Sequence, residues 1–137
     1  MKTLAWLFGI FVCASSAYGQ KTVTIEGDIR NMPDTVRFFC AEMKGNGMYV
    51  RPEDQEIMVN GKFKFTRETD KTTKMYISLN NTGYTVWVKP GANIKIIGEA
   101  PYVQNWLAKS DIPIPEQVEL NRFREATREE NIRIHDL

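Results

Sequence analysis

Apolar and polar positions alternate over much of this chain. In "TVTIEGDI", residues 22–29, Val23, Ile25 and Gly27 alternate with Thr24, Glu26 and Asp28. That period of two marks a half-buried strand. "NMPD", 31–34, is a turn cluster in which Pro33 removes a backbone donor. "TVRFFCAEM", 35–43, is rich in aromatic and β-branched residues and reads as a second strand. "KGNG", 44–47, is a Gly-rich turn, and "MYV" leads into the polar connection "RPEDQ", 51–55. "EIMVNGKFKF", 56–65, predicts a hairpin, because Asn60 and Gly61 both tolerate positive φ. "KMYISLN", 74–80, "YTVWVKP", 84–90, and "NIKIIGE", 93–99, continue the series, with Pro90-Gly91 suited to the centre of a type II turn.

About seven to eight short strands at spacings near ten residues predict a mostly β domain, an antiparallel β-sandwich or open barrel. No strand–helix alternation occurs before residue 100, which argues against a nucleotide-binding α/β domain. Two hairpin registers remain open. A two-residue turn pairs Val59 with Lys62 and Met58 with Phe63. A three-residue loop with a Gly bulge pairs Met58 with Lys62 and puts Ile57 and Val59 on the face of Phe63 and Phe65. The second is preferred because it makes one apolar side, and a slip of one residue turns the whole set over.

Beyond Glu99 the pattern changes. "APYVQNWLAKSDIPIPEQ" reads as irregular, with Pro113 and Pro115 favouring an extended connection. "PEQVELNRFREATREENIRI" then predicts a C-terminal α-helix, with Pro115 in its first turn and Glu–Arg pairs such as Glu119–Arg122 along it. Its apolar stripe, Leu120 and Phe123 followed by Ala126 and Thr127, is thin, so the helix is expected to lean on something else. The expected organisation is a signal peptide over 1–19, a β-sandwich domain over 20–100, and a linker and helix over 101–137.

The first segment has the parts of a secretory signal. Lys2 is the positive n-region, "LAWLFGIFV" is a short apolar h-region, and "CASSAYGQ" places small residues for a cut before Gln20 or before Tyr18. Cys13 closes the h-region as a lipid-anchored cysteine would, although Val12 stands where such a signal wants a small residue. The expected location is therefore export to the periplasm or cell envelope, with membrane attachment only if Cys13 is lipidated. Removing the signal leaves about 118 residues with a formal charge of 0. A neutral chain of interspersed signs has no electrostatic footprint for nucleic acid. Cys40 then has no disulfide partner, so stability must come from a packed core.

Candidate chemistry is sparse. His135 is the only histidine, while metal sites and triads need convergent partners. Cys40 sits inside an apolar strand and reads as a small core residue. Glu53, Asp54 and Glu56 lack the spacing of a calcium loop and read as a solvated loop. "GNG" lacks the strand-to-helix context of a phosphate loop. No catalytic, cofactor or metal residue is assigned. The aromatic residues Tyr49, Tyr76, Tyr84, Trp87, Tyr102 and Trp106 are the least ordinary feature. If Val86 and Val88 are core, Trp87 faces outward or beneath the C-terminal segment. Tyr84, Trp87, Trp106, Leu120 and Phe123 form the candidate interaction surface.

"VTIEGDI", "MVNGKFKF" and "VWVKPGANIKIIGE", in that order, resemble the N-terminal β-domain known as domain of unknown function 4369. In exported Gram-negative bacterial proteins that domain usually precedes a helical connector and a thioredoxin-like thiol-disulfide oxidoreductase domain of the AhpC/TSA type. "PEQVELNRFREATREE" looks like the start of the connector, and no C-x-x-C follows it. The resemblance implies an accessory module and carries over no catalytic residue. Three functions are weighed. The first is an exported, noncatalytic binding or interaction module of unknown ligand. The second is the front of a thioredoxin-like oxidoreductase, whose partner would be the absent C-terminal domain. The third is a surface lipoprotein subunit contacting carbohydrate. No cofactor is expected.

Overall fold

The computed structural model describes residues 21–45 and 47–137. The expected signal peptide and Cys13 lie outside the described residues.

The strands are β1 (Thr22–Arg30), β2 (Thr35–Lys44), the two-residue β3 (Gly47–Met48), β4 (Gln55–Val59), β5 (Lys62–Glu68), β6 (Thr73–Ser78), β7 (Gly83–Val88), β8 (Asn93–Glu99) and β9 (Leu107–Ser110). Helices α1 (Pro115–Ala126) and α2 (Arg128–His135) follow, separated by Thr127. The strands form one sheet in the order β7-β6-β2-β4-β5-β1-β8-β9, with β3 added to β2, and it curls into a nearly closed barrel. The alternation in the sequence is the alternation of the pleat. Val23, Ile25 and Ile29 of β1, Phe38 and Cys40 of β2, Tyr84, Val86 and Val88 of β7, and Ile94 and Ile96 of β8 all point inward and are buried.

Four features depart from the expectation. The pairing is antiparallel throughout except for β1 with β8, which run parallel with Ile25 opposite Ile94. The stretch read as irregular contains β9, which pairs with β8 through Ile96↔Ala108. The long C-terminal helix breaks at Thr127, whose φ of −103° and ψ of 9° are not helical.

The fourth is the hairpin, which takes the register that was not preferred. Val59 faces Lys62, and Asn60 and Gly61 have φ of 51° and 78°, the left-handed pair of a two-residue type I′ turn. Met58 therefore joins Phe63 and Phe65 inside, while Ile57 and Val59 are each 51 % exposed. The turn is fixed from outside the hairpin. The Ile29 N–H donates to the Gly61 carbonyl at 2.9 Å, and a Cβ on Gly61 would collide with the Ile29 carbonyl.

Beyond that turn β4 and β5 diverge, because Val59↔Lys62 is the register of their pairing. The barrel thus has two seams, one between β4 and β5 and the other between the edge strands β7 and β9. Each is closed by side chains.

Candidate functional site

The β7/β9 seam is closed by α1 and the turn before β9. Trp106 is fully buried, its ring 5.7 Å from that of Tyr84, and the Tyr84 hydroxyl donates to the Trp106 carbonyl at 2.9 Å. Gly98 makes room for the Trp106 indole, which would meet any Cβ there. Burial pushes the Tyr84 phenol well above its ordinary range, with the nearby Arg124 cation working against the shift. The Arg124 guanidinium lies 4.5 Å over the Tyr84 ring and donates to the Gln104 carbonyl at 2.8 Å. Its Nε is buried without a hydrogen-bond partner, and burial lowers the pKa of the group.

The helix docks by polar residues. Gln117 and Arg124 are buried beside Ile114. The Gln117 side-chain oxygen accepts the Trp87 N–H at 2.8 Å. The Asn121 carboxamide accepts from the Ala108 N–H at 3.3 Å and donates to the Ala108 carbonyl at 2.7 Å. The two carboxamides are joined by a 2.8 Å hydrogen bond. These groups satisfy strand-edge backbone that would otherwise be orphaned.

The five residues expected at an interaction surface do not share one. Tyr84 and Trp106 are core residues. Trp87 is half-buried outside the barrel, with the Lys74 ammonium 5.6 Å over its ring. Leu120 is half-buried, and Phe123 is 64 % exposed. Val118 is 52 % exposed but sits on the opposite flank, roughly 140° around the helix from Phe123.

The β4/β5 seam opens at the other concavity, the mouth of the barrel. Arg67, inward-facing on β5, spans it. Its Nε donates to the Cys40 carbonyl at 3.3 Å and one terminal nitrogen to the Asp54 carbonyl at 3.2 Å, while the other lies 2.7 Å from Glu56. The cation also rests 4.6 Å over Phe65. Asp54, expected in a solvated loop, is buried and accepts the Arg51 N–H at 2.8 Å, so that reading holds for exposed Glu53 alone. The mouth is an open concavity of about 980 Å³. Glu42, Arg51, Asp54 and Arg67 line it, with Tyr49 at its rim. This site was missed because Arg67, placed among alternating lysines and phenylalanines, reads in sequence as one more strand residue.

Cys40 has the expected core position, and burial pushes its thiol up to about 12. His135 is exposed, beside Asp136 and packed edge-on to Tyr102. Among the described residues, no group of three or more His, Cys, Asp or Glu side chains is placed to hold a metal ion. Among the same residues, no helix is long and apolar enough to cross a membrane.

The family described as "Domain of unknown function (DUF4369)" matches over residues 23–112. The match takes in β9 as well as the strands quoted from the sequence. No curated protein and no solved structure matches the chain.

Proposed function

We propose that this chain, which belongs to the DUF4369 family, is an exported, noncatalytic binding module that engages its ligand at the mouth of the barrel. The observation that carries this reading is the mouth's own chemistry. Its lining charges nearly balance, Lys44, Arg51 and Arg67 against Glu42, Glu53, Asp54 and Glu68, and some are paired: Arg51 lies 3.5 Å from Glu53 and 3.6 Å from Asp54, and Arg67 lies 2.7 Å from Glu56 of β4. Such pairs still donate to and accept from hydroxyl and amide groups, but offer little net charge to an ionic ligand. Tyr49, 89 % exposed, adds an apolar platform at the rim. The ligand class is therefore neutral and polar.

Noncatalytic character is supported by the isolation of the reactive groups. The Cys40 thiol is buried, and burial raises its pKa, which disfavours the reactive thiolate. Export rests on "LAWLFGIFV" and "CASSAYGQ".

Chemical-shift mapping with neutral oligosaccharides and uncharged peptides tests the binding site. A ligand is expected to move the Tyr49, Arg51 and Glu68 amides and to bind about tenfold more weakly to Tyr49→Ala. A panel that leaves those amides unmoved removes the reading. Intact mass of the native protein tests export separately. A chain starting at Tyr18 or Gln20, or a lipid-bearing chain starting at Cys13, is expected, and an uncut Met1 form would overturn it.

The exposed Phe123 next to half-buried Leu120 favours a second reading. In it, this β-domain fronts a longer thioredoxin-like oxidoreductase, and a native species of far greater mass would support that.

A further inference from the structure

The edge strands β7 and β9 stand on either side of a gap of unusual chemistry. Following the pairings around the sheet, β7 and β9 run in the same direction. A strand entering between them could therefore be antiparallel to both. Helix α1 already occupies that slot and runs in that sense. Gln117 meets Trp87 near the end of β7, and Arg124 meets Tyr84 near its start. On the other side Asn121 meets Ala108, and Arg124 meets the earlier Gln104. The seven-residue rise from Gln117 to Arg124 is about 10 Å, as is the three-residue rise from Trp87 to Tyr84.

The contacts themselves imitate a strand. A side-chain carboxamide carries the same donor and acceptor as a peptide group. Asn121 makes both bonds to Ala108 that an opposing strand residue would make. Gln117 takes the outward N–H of Trp87, and Gln104 donates to the outward carbonyl of Gly83 at 3.2 Å. The hold is incomplete. It buries Arg124 with an unpartnered Nε, leaves Val118 and Phe123 outside, and has no side-chain N-cap.

We propose that the β7/β9 seam is a strand-accepting slot, for which α1 is an exchangeable occupant. The partner that fits is an extended segment running antiparallel to both edges, with aliphatic residues alternating with polar ones. Its aliphatic side chains would enter where Ile114 now joins the buried core cluster.

Hydrogen exchange on the intact chain tests release of α1. The Trp87 and Ala108 amides are expected to exchange together with those of α1, and faster than the amides of β1 and β5. Exchange of all of them only through global unfolding would overturn the proposal. A labelled peptide of the chain's own β8 sequence, Asn93–Glu99, is a suitable probe because its Ile94 and Ile96 alternate with Asn93 and Lys95. It is expected to bind the Gln117→Ala/Asn121→Ala chain about tenfold more tightly than the unaltered one, and to protect Trp87 and Ala108. Equal affinity for the two chains, no binding to either, or protection elsewhere would refute it. None of these readouts depends on a ligand at the barrel mouth.

Discussion

The cation of Arg124, carried by the helix that closes the β7/β9 seam, covers the ring of Tyr84 on β7 at 4.5 Å. Their contributions are unequal. Tyr84→Phe removes the donor to the buried Trp106 carbonyl and is expected to cost about 1–3 kcal/mol. Arg124→Leu exchanges a buried, incompletely bonded cation for an apolar group and is expected to stay within about 1 kcal/mol of the unaltered chain. Urea denaturation of both variants measures the order. The reverse order would mean that the bond to the Gln104 carbonyl outweighs desolvation.

Gly61→Ala is expected to lose at least about 2 kcal/mol, because its φ is 78° and a methyl group would strike the Ile29 carbonyl. Asn60→Gly, at a φ of 51°, is expected to change stability by less than about 1 kcal/mol. Thermal melts of the pair separate a strained turn from a tolerant one.

Arg67→Leu breaks the bridge across the mouth. It leaves the Cys40 and Asp54 carbonyls and the half-buried Glu56 carboxylate without their cation. The expected cost is about 2–4 kcal/mol, and Glu56→Gln is expected to cost less. Chemical denaturation decides this. A loss under about 0.5 kcal/mol would mean that the cation is replaced by water.

Cys40 predicts a dependence on alkaline pH. Burial holds its folded-state thiol up at about 12, while the unfolded chain titrates near 9.0. Between those values the unfolded state binds fewer protons than the folded one, so stability must fall as pH rises. The Cys40 contribution to the slope approaches about 1.4 kcal/mol per pH unit, and Cys40→Ala should show a correspondingly shallower fall. Raised Tyr84 adds a fall of the same sign at higher pH. Denaturation midpoints at pH 8, 9 and 10 in the two chains provide the comparison. A thiol reagent is expected to label Cys40 only as the chain unfolds.

The strands that alternate strongly were legible. The pleat of Val23–Ile25 and Val86–Val88 is visible in their spacing, because one face of each is buried. The short β9 was not, since Leu107–Ser110 acquires its role only by lying against Ile96 and Ile97. The hairpin register went astray for a physical reason. Ile57 and Val59 are apolar yet face outward, and sequence alone weighs them like core residues. The docked face of α1 was hidden because Gln117, Asn121 and Arg124 look like a solvated side. Their spacing of four and three residues, with none of them acidic, was the available signal. The mouth was illegible because the 40–54 stretch that forms most of it becomes a concavity only when Thr66–Glu68 of β5 and Met75 of β6 lie against it.

The two neighbours of β1 set an order of events during synthesis. Ile25 is flanked by Phe65 on one side and Ile94 on the other. A nascent chain that has emerged only as far as β7 has made β1 and β5 but still lacks β8, so one whole side of its first strand is bare. Such intermediates present an open template for mispairing, and closing the parallel contact depends on bringing distant parts of the chain together. Maturation of this domain should therefore be gated by the arrival of its last strands, and chaperones that mask strand edges should matter most in that interval.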